Sequence, residues 1–182
     1  MSVSFLKIET TVSVFDDRFL INLALQRNES ETKDMLFLSN SLGYVAYAIP
    51  AALMVGGIVR HDSEMRQNAL YVGSSAVVTL GITLLVKTIF KRRRPFVQNL
   101  KIVSVYNAGS TSFPSGHAST SFAVATALSR AYPKWYVIVP SYLWAGSVGY
   151  SRMYLGVHYP SDVFGGALLG TTTSLLLRPA IK

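Results

Sequence analysis

Two of the three histidines in this 182-residue chain stand in short segments that also supply cations, a hydroxyl and a carboxylate. The first chemically rich segment, KTIFKRRRP at Lys87–Pro95, sets Lys87 and Arg94 seven residues apart. That is nearly two helical turns, so on a helix both side chains share a face. Pro95 ends or kinks such a helix just beyond them. Two fixed cations can neutralise phosphate oxygens. The same cluster also reads as a positive flank whose side chains snorkel to lipid headgroups.

The second segment is Pro114, Ser115, Gly116 and His117, directly before an apolar stretch. Proline favours a helix's first turn, and the next backbone N–H groups lack intrahelical partners. With the helix dipole they make an anion site. Gly116 lets a phosphate approach the backbone closely, and Ser115 adds a hydroxyl. A plain loop-to-helix turn with a solvated histidine fits the same residues. The third segment, SRMYLGVHYPSD, runs from Ser151 to Asp162. Pro160 marks a helix start just after His158, and Asp162 lies four residues beyond that histidine. A carboxylate on Nδ1–H would fix the tautomer and free Nε2 as a nucleophile. An interfacial histidine and an acidic first-turn residue complementing the dipole would look alike.

The elements that must position these residues are apolar helices. Met35–Val59 and Gln67–Val86 contain no Asp, Glu, Lys or Arg. Each has the roughly 20 residues that cross a hydrocarbon core about 30 Å thick. Ile102–Ser129 is interrupted only by His117, and Trp135–Ser151 and Val163–Leu177 are shorter charge-free runs. In lipid every backbone polar group must be paired internally, so these runs are helices. The expected spans lie near 42–60, 69–91, 115–131, 134–151 and 160–178. Small residues, including Gly166 and Gly170 four apart, suit close helix packing. Upstream, Phe5, Ile8, Val12, Phe15, Phe19 and Leu23 recur at helical steps among charged residues. That pattern predicts an amphipathic, interfacial N-terminal helix without the unbroken apolar run of a signal peptide. The expected fold is all-α: a single 1–182 membrane domain, with residues 1–41 interfacial and 42–182 a bundle of about five transmembrane helices.

Composition agrees. Half the residues are hydrophobic and only 14% are charged, against about 25% in ordinary soluble domains. Mean hydropathy is +0.34. The 17 Lys and Arg against 9 Asp and Glu leave a net charge of +8, which points to anionic partners. Nucleic acid is disfavoured, because the basic cluster abuts a membrane span and lacks interleaved aromatics. There is no cysteine, hence no disulfide and no thiolate chemistry. Asp162 is the only acidic residue after Glu64, so no carboxylate cluster is available to hold a metal. Five spans bring all three segments to one side of the membrane, where three cations, two helix N-termini and two histidines converge. His61, between the first two spans, reads as a solvated loop residue.

In this combination the chain resembles the type-2 phosphatidic acid phosphatase family, which shares its fold and site with vanadium-dependent haloperoxidases. The family signature is Lys-x6-Arg-Pro, then Pro-Ser-Gly-His, then Ser-Arg-x5-His-x3-Asp, and every fixed residue is present in order and at family spacing. The resemblance covers about Lys87–Leu177. Many membrane members have six spanning helices where five are counted here, the amphipathic N-terminus standing in the place of the sixth.

The resemblance implies that His158 is the nucleophile forming a phosphohistidine and Asp162 its orienter. It makes His117 the acid that protonates the departing lipid alkoxide and then the base that activates water. Lys87, Arg94 and Arg152 become a cationic cage, with Ser115 and the Gly116 N–H as further donors. Lys91, Arg92 and Arg93 fall in the variable part of the motif and receive no role. The expected activity is dephosphorylation of a membrane lipid phosphate or pyrophosphate, with no metal and no cofactor. Candidate substrates are phosphatidic acid, phosphatidylglycerol phosphate, undecaprenyl pyrophosphate and phosphorylated lipid A. The 96–113 loop, with Tyr106, is a candidate selectivity element. Lipid phosphotransfer through the same intermediate, and non-enzymatic binding of anionic lipids, are the alternatives. The charge rule would place the motif-bearing side in the cytoplasm, but the site itself demands several of those cations. The family points instead to a bacterial inner membrane with the site facing the periplasm or exterior.

Overall fold

The computed structural model describes residues 2–109 and 111–177, with side chains from residue 13 onward. The helices are α1 (Ser2–Gln26), α2 (Glu29–Val59), α3 (Ser63–Phe90), the single turn α4 (Pro95–Gln98), α5 (Gly116–Ala131), α6 (Trp135–Tyr154) and α7 (Pro160–Leu177). Strong caps set several starts. Asn28 accepts from the Glu31 N–H at 2.9 Å, and Asp62 accepts from the Met65 N–H at 3.0 Å. Glu29 and Glu31 in the first turn complement the α2 dipole. This cap explains why α2 begins at Glu29 rather than near residue 42.

The bundle is apolar outside, as a lipid solvent requires, and its interior mixes apolar residues with many small polar ones. Phe37, Tyr44, Val59, Leu85, Ile89, Trp135, Leu143 and Phe164 are all exposed. The fully buried positions include Ser75, Thr79, Thr83, Ser119, Ser121 and Ser174. Ser119 donates to the Ser115 carbonyl at 2.7 Å, Ser121 to the Ala118 carbonyl at 3.2 Å and Ser174 to the Ser75 hydroxyl at 3.3 Å. The fold is an integral-membrane helical bundle. Among the described residues, α2 and α3 alone are long and apolar enough to be recognised as spans by length and composition.

Helix α5 is the axis, packed by α7, α6, α3 and α2. Its contact with α7 depends on small residues. A Cβ at Gly170 would lie 1.9 Å from the Ser119 carbonyl oxygen, and one at Gly166 would lie 2.6 Å from the Ser115 oxygen. The expected Gly166/Gly170 packing face is therefore an α5–α7 contact.

Helix α1 packs against α6 and α7. Phe19 and Leu23 contribute to a cluster around the fully buried Leu20, with Ile102 and Tyr159. Phe15, expected on the same apolar face, points outward, and Asp16 takes the buried position beside it. The expected contributions of Phe5, Ile8 and Val12 lie outside the described side chains.

Candidate active site

The ends of α3 and α6 and the starts of α5 and α7 meet at one end of the bundle. Lys87 lies in the last turn of α3, where its Nζ donates to the Thr111 carbonyl at 2.8 Å and to that of Ser112 at 3.3 Å. Lys91 then adopts a left-handed conformation with φ 45° and turns the chain out of the helix. Arg94 follows and is buried. Its Nη1 donates to the Val157 carbonyl at 2.8 Å and lies 3.3 Å from His158 Nε2.

Ser115 caps α5, its hydroxyl accepting from the Ala118 N–H at 3.4 Å. Its own N–H donates to the Asp162 carbonyl at 3.0 Å, tying the second motif to the third. A Cβ at Gly116 would meet protein only at Thr83 Cγ2, 3.8 Å away, so packing does not require glycine there.

His158 is held in the turn between α6 and α7. The Arg152 carbonyl accepts from the N–H groups of Val157 at 3.2 Å and His158 at 3.3 Å. Gly156 turns the chain with φ +73°, and a Cβ there would lie 2.9 Å from the Val103 oxygen. Arg94 fixes the histidine tautomer. A guanidinium carries no acceptor, so Nε2 must present its lone pair and Nδ1 must carry the proton. Nδ1 faces Asp162 Oδ2 at 3.6 Å, inside ion-pair range but beyond a hydrogen bond. Burial pushes the imidazole down to about 4; Asp162 opposes the shift, and Arg94 and Arg152 reinforce it. The ring is therefore neutral at neutral pH.

Asp162 is fully buried. Its Oδ1 accepts from Arg92 Nη1 at 2.7 Å; its Oδ2 accepts from the Ser112 hydroxyl and from the Tyr159 N–H at 2.9 Å. Arg152 is buried in the last turn of α6 and donates to the Ser39 hydroxyl. Its guanidinium lies 4.3 Å from the Tyr106 ring centre, and that ring meets His117 edge-on at 6.4 Å. Tyr106 thus sits between two of the expected site residues. A cleft of about 640 Å³, lined by Leu84, Lys87, Thr88, Lys91 and Thr111, lies along the outward face of α3 next to Lys87.

All eight expected residues are gathered at this end. Arg94, His158, Asp162 and Ser115 are linked directly, with Gly116 next to Ser115. Lys87 joins through the 111–112 backbone, and Arg152 and His117 join through Tyr106. Three participants went unassigned in the sequence. Arg92 belongs to a run of four basic residues that look alike, Ser112 lies in an irregular loop, and Asp16 lies in a helix read as interfacial. Helical phase offered one signal for Asp16, four residues before the buried Leu20.

This is the architecture of a membrane enzyme with a cluster of cations and histidines gathered at the helix ends. Residues 68–182 match the PAP2 superfamily. The chain is 37% identical over 143 residues to a decaprenylphosphoryl-5-phosphoribose phosphatase of Mycobacterium tuberculosis, covering 78% of this chain and 73% of that one. It is 27% identical over 155 residues to the undecaprenyl-diphosphatase BcrC of Bacillus subtilis, covering 84% and 76%. The crystal structure of a transmembrane PAP2-type phosphatidylglycerolphosphate phosphatase from Bacillus subtilis superimposes with a TM-score of 0.70 at 23% identity, over 93% of this chain and 86% of that one. The chain belongs to the PAP2 superfamily, and it is a lipid phosphate phosphatase.

Proposed function

We propose that the chain cleaves a lipid phosphomonoester or pyrophosphate through a phosphohistidine on His158. The observation that carries this reading is the Arg94–His158 contact at 3.3 Å, which leaves the lone pair on Nε2 and the proton on the side facing Asp162. Nε2 attacks the terminal phosphorus, an N–P bond forms, and the P–O bond to the leaving group breaks: the lipid alkoxide of a monoester or the lipid monophosphate of a pyrophosphate. The leaving oxygen takes a proton from His117. Water then gives a proton back to His117 and attacks phosphorus; the N–P bond breaks and inorganic phosphate leaves. Asp162 stabilises the positive charge that develops on the His158 ring when Nε2 bonds to phosphorus.

Lys87, Arg94 and Arg152 neutralise the equatorial oxygens, with Ser115 and the Gly116 N–H as donors at the α5 N-terminus. Three fixed cations supply the charge that a divalent metal supplies elsewhere. The donor set supports metal independence: among the described residues, no three of His, Cys, Asp or Glu cluster. The cleft beside Lys87 supports a lipid whose headgroup reaches the cage while its tail stays in the bilayer. Polyprenyl phosphate esters are the first class to test, since two relatives are named for them. We propose that the protein lies in the bacterial inner membrane with the site facing the periplasm or exterior.

Phosphate release from a panel of pure lipid phosphates, with and without EDTA, tests the proposal. Wild type should release phosphate equally in both, and His158→Ala should release none while remaining folded in detergent. Turnover by His158→Ala, or a strict divalent-metal requirement, refutes it.

A further inference from the structure

The buried carboxylate of Asp16 has no place in the family signature, yet it reaches the reacting end of the bundle from α1. It is 1% exposed. Its Oδ2 receives Arg92 Nη2 at 2.9 Å and the Ser161 hydroxyl; its Oδ1 receives the Ser161 N–H at 3.1 Å. Arg92 is the hinge of this arrangement. Its Nη1 donates to both Asp162 Oδ1 and the Ser161 hydroxyl at 2.7 Å, and its guanidinium lies 4.1 Å from the Tyr159 ring centre. One guanidinium fork therefore spans two buried carboxylates, one on α1 and one on α7.

Charge balance gives this geometry a consequence. Arg92 and Asp162 alone would form a neutral pair. Asp162 would then offer little field to the positive charge that appears on His158 during phosphoryl transfer. With Asp16 included, the trio carries one net negative charge. Asp16 also anchors the far end of the fork, so that Arg92 holds Oδ1 and leaves Oδ2 turned toward the imidazole.

We propose that Asp16 is a positioning residue for the reaction, acting through Arg92 and Ser161 to keep Asp162 both oriented and electrostatically effective toward His158. The proposal rests on the reading of His158 and Asp162 as nucleophile and orienter. It makes α1 a functional part of the site rather than only an interfacial anchor. The phosphate cage lies on other side chains, so Asp16 bears on the chemical step and not on substrate binding.

The test compares wild type, Asp16→Asn, Arg92→Gln, the double variant Asp16→Asn/Arg92→Gln and His158→Ala. Each is purified whole in detergent, and kcat, KM and thermal stability are measured with one lipid phosphate substrate. Asp16→Asn keeps the shape and removes the charge. Its kcat should fall about tenfold, the effect of a one-unit change in the balance of a titrating pair, with KM unchanged. The double variant restores the net negative charge, so its kcat should exceed that of Asp16→Asn. A purely structural role predicts that the double variant is no better than Asp16→Asn, with kcat falling only as stability falls; that result overturns the proposal. So does an Asp16→Asn enzyme with wild-type kcat. If Asp16→Asn does not fold, an active double variant supports the proposal, and an unfolded one overturns it. Turnover by His158→Ala would refute the underlying mechanism instead, so the two failures are separable.

Discussion

The position of the acid limb in the pH–rate profile is the most direct measure of the His158 environment. Burial pushes this imidazole from 6.5 to about 4. The charged or titratable groups facing it are Asp162 from α7, Arg94 from the turn after α3, Arg152 from α6 and His117 from α5. Protonating the ring in the folded protein is therefore harder than in water by on the order of 3 kcal/mol, at about 1.4 kcal/mol per unit. Only neutral Nε2 can attack phosphorus. The acid limb of kcat/KM, which reports the free enzyme, should then fall well below 6.5. Two substitutions carry opposite signs. Asp162→Asn removes the group that favours the charged ring, so the limb moves to lower pH. Arg94→Gln removes a group that disfavours it, so the limb moves up. Both variants lose rate, but limb position is independent of amplitude, and substrate ionisation is common to all three enzymes. The same linkage acts on stability. Above 6.5 the ring is neutral whether folded or unfolded; as pH falls toward 4 the unfolded chain takes up the proton first, and stability is lost across that window. Limbs that both substitutions move in the same direction, or that neither substitution moves, would refute the reasoning.

Two glycines should separate packing from chemistry. Gly170→Ala drives a Cβ to 1.9 Å from the Ser119 carbonyl, where backbone cannot yield, so α5 and α7 must part. Thermal unfolding in detergent should show a loss of roughly 1–3 kcal/mol or more. Gly116→Ala meets only Thr83 at 3.8 Å, so its melting temperature should stay near wild type while kcat/KM falls. The absence of cysteine makes topology directly readable. Lys101→Cys, in the loop at the site end, should react with a membrane-impermeant maleimide in intact spheroplasts. His61→Cys, at the opposite end, should react only after permeabilisation, and the reverse pattern would put the site in the cytoplasm.

The three motif segments were legible because their chemistry is local. Each packs its residues within a dozen positions, and each abuts an apolar run whose length announces a helix end. Charge-free runs then brought the ends to one side by counting. What the sequence concealed is long-range. Ser161 and Asp16 meet across 145 positions, and Arg92 reaches Asp16 across 76. Nothing local distinguishes Arg92 within its run of four basic residues. Only the fold separates Lys91, which makes the left-handed turn, from Arg92, which turns inward to the carboxylates, and from Arg94, which is buried against His158.

The apolar stretch after His117 announced a helix but not its central place in the bundle. Helix α5 carries most of its side chains in the interior, including Ser119, Thr120, Ser121 and Thr126, and at 16 residues it is among the shorter helices of the bundle. Its neighbours shield it from lipid, so it needs small and polar residues for close packing rather than bulky apolar ones. The helix that begins at Gly116 is enclosed by α2, α3, α6 and α7, which suits the phosphate site proposed at its N-terminus.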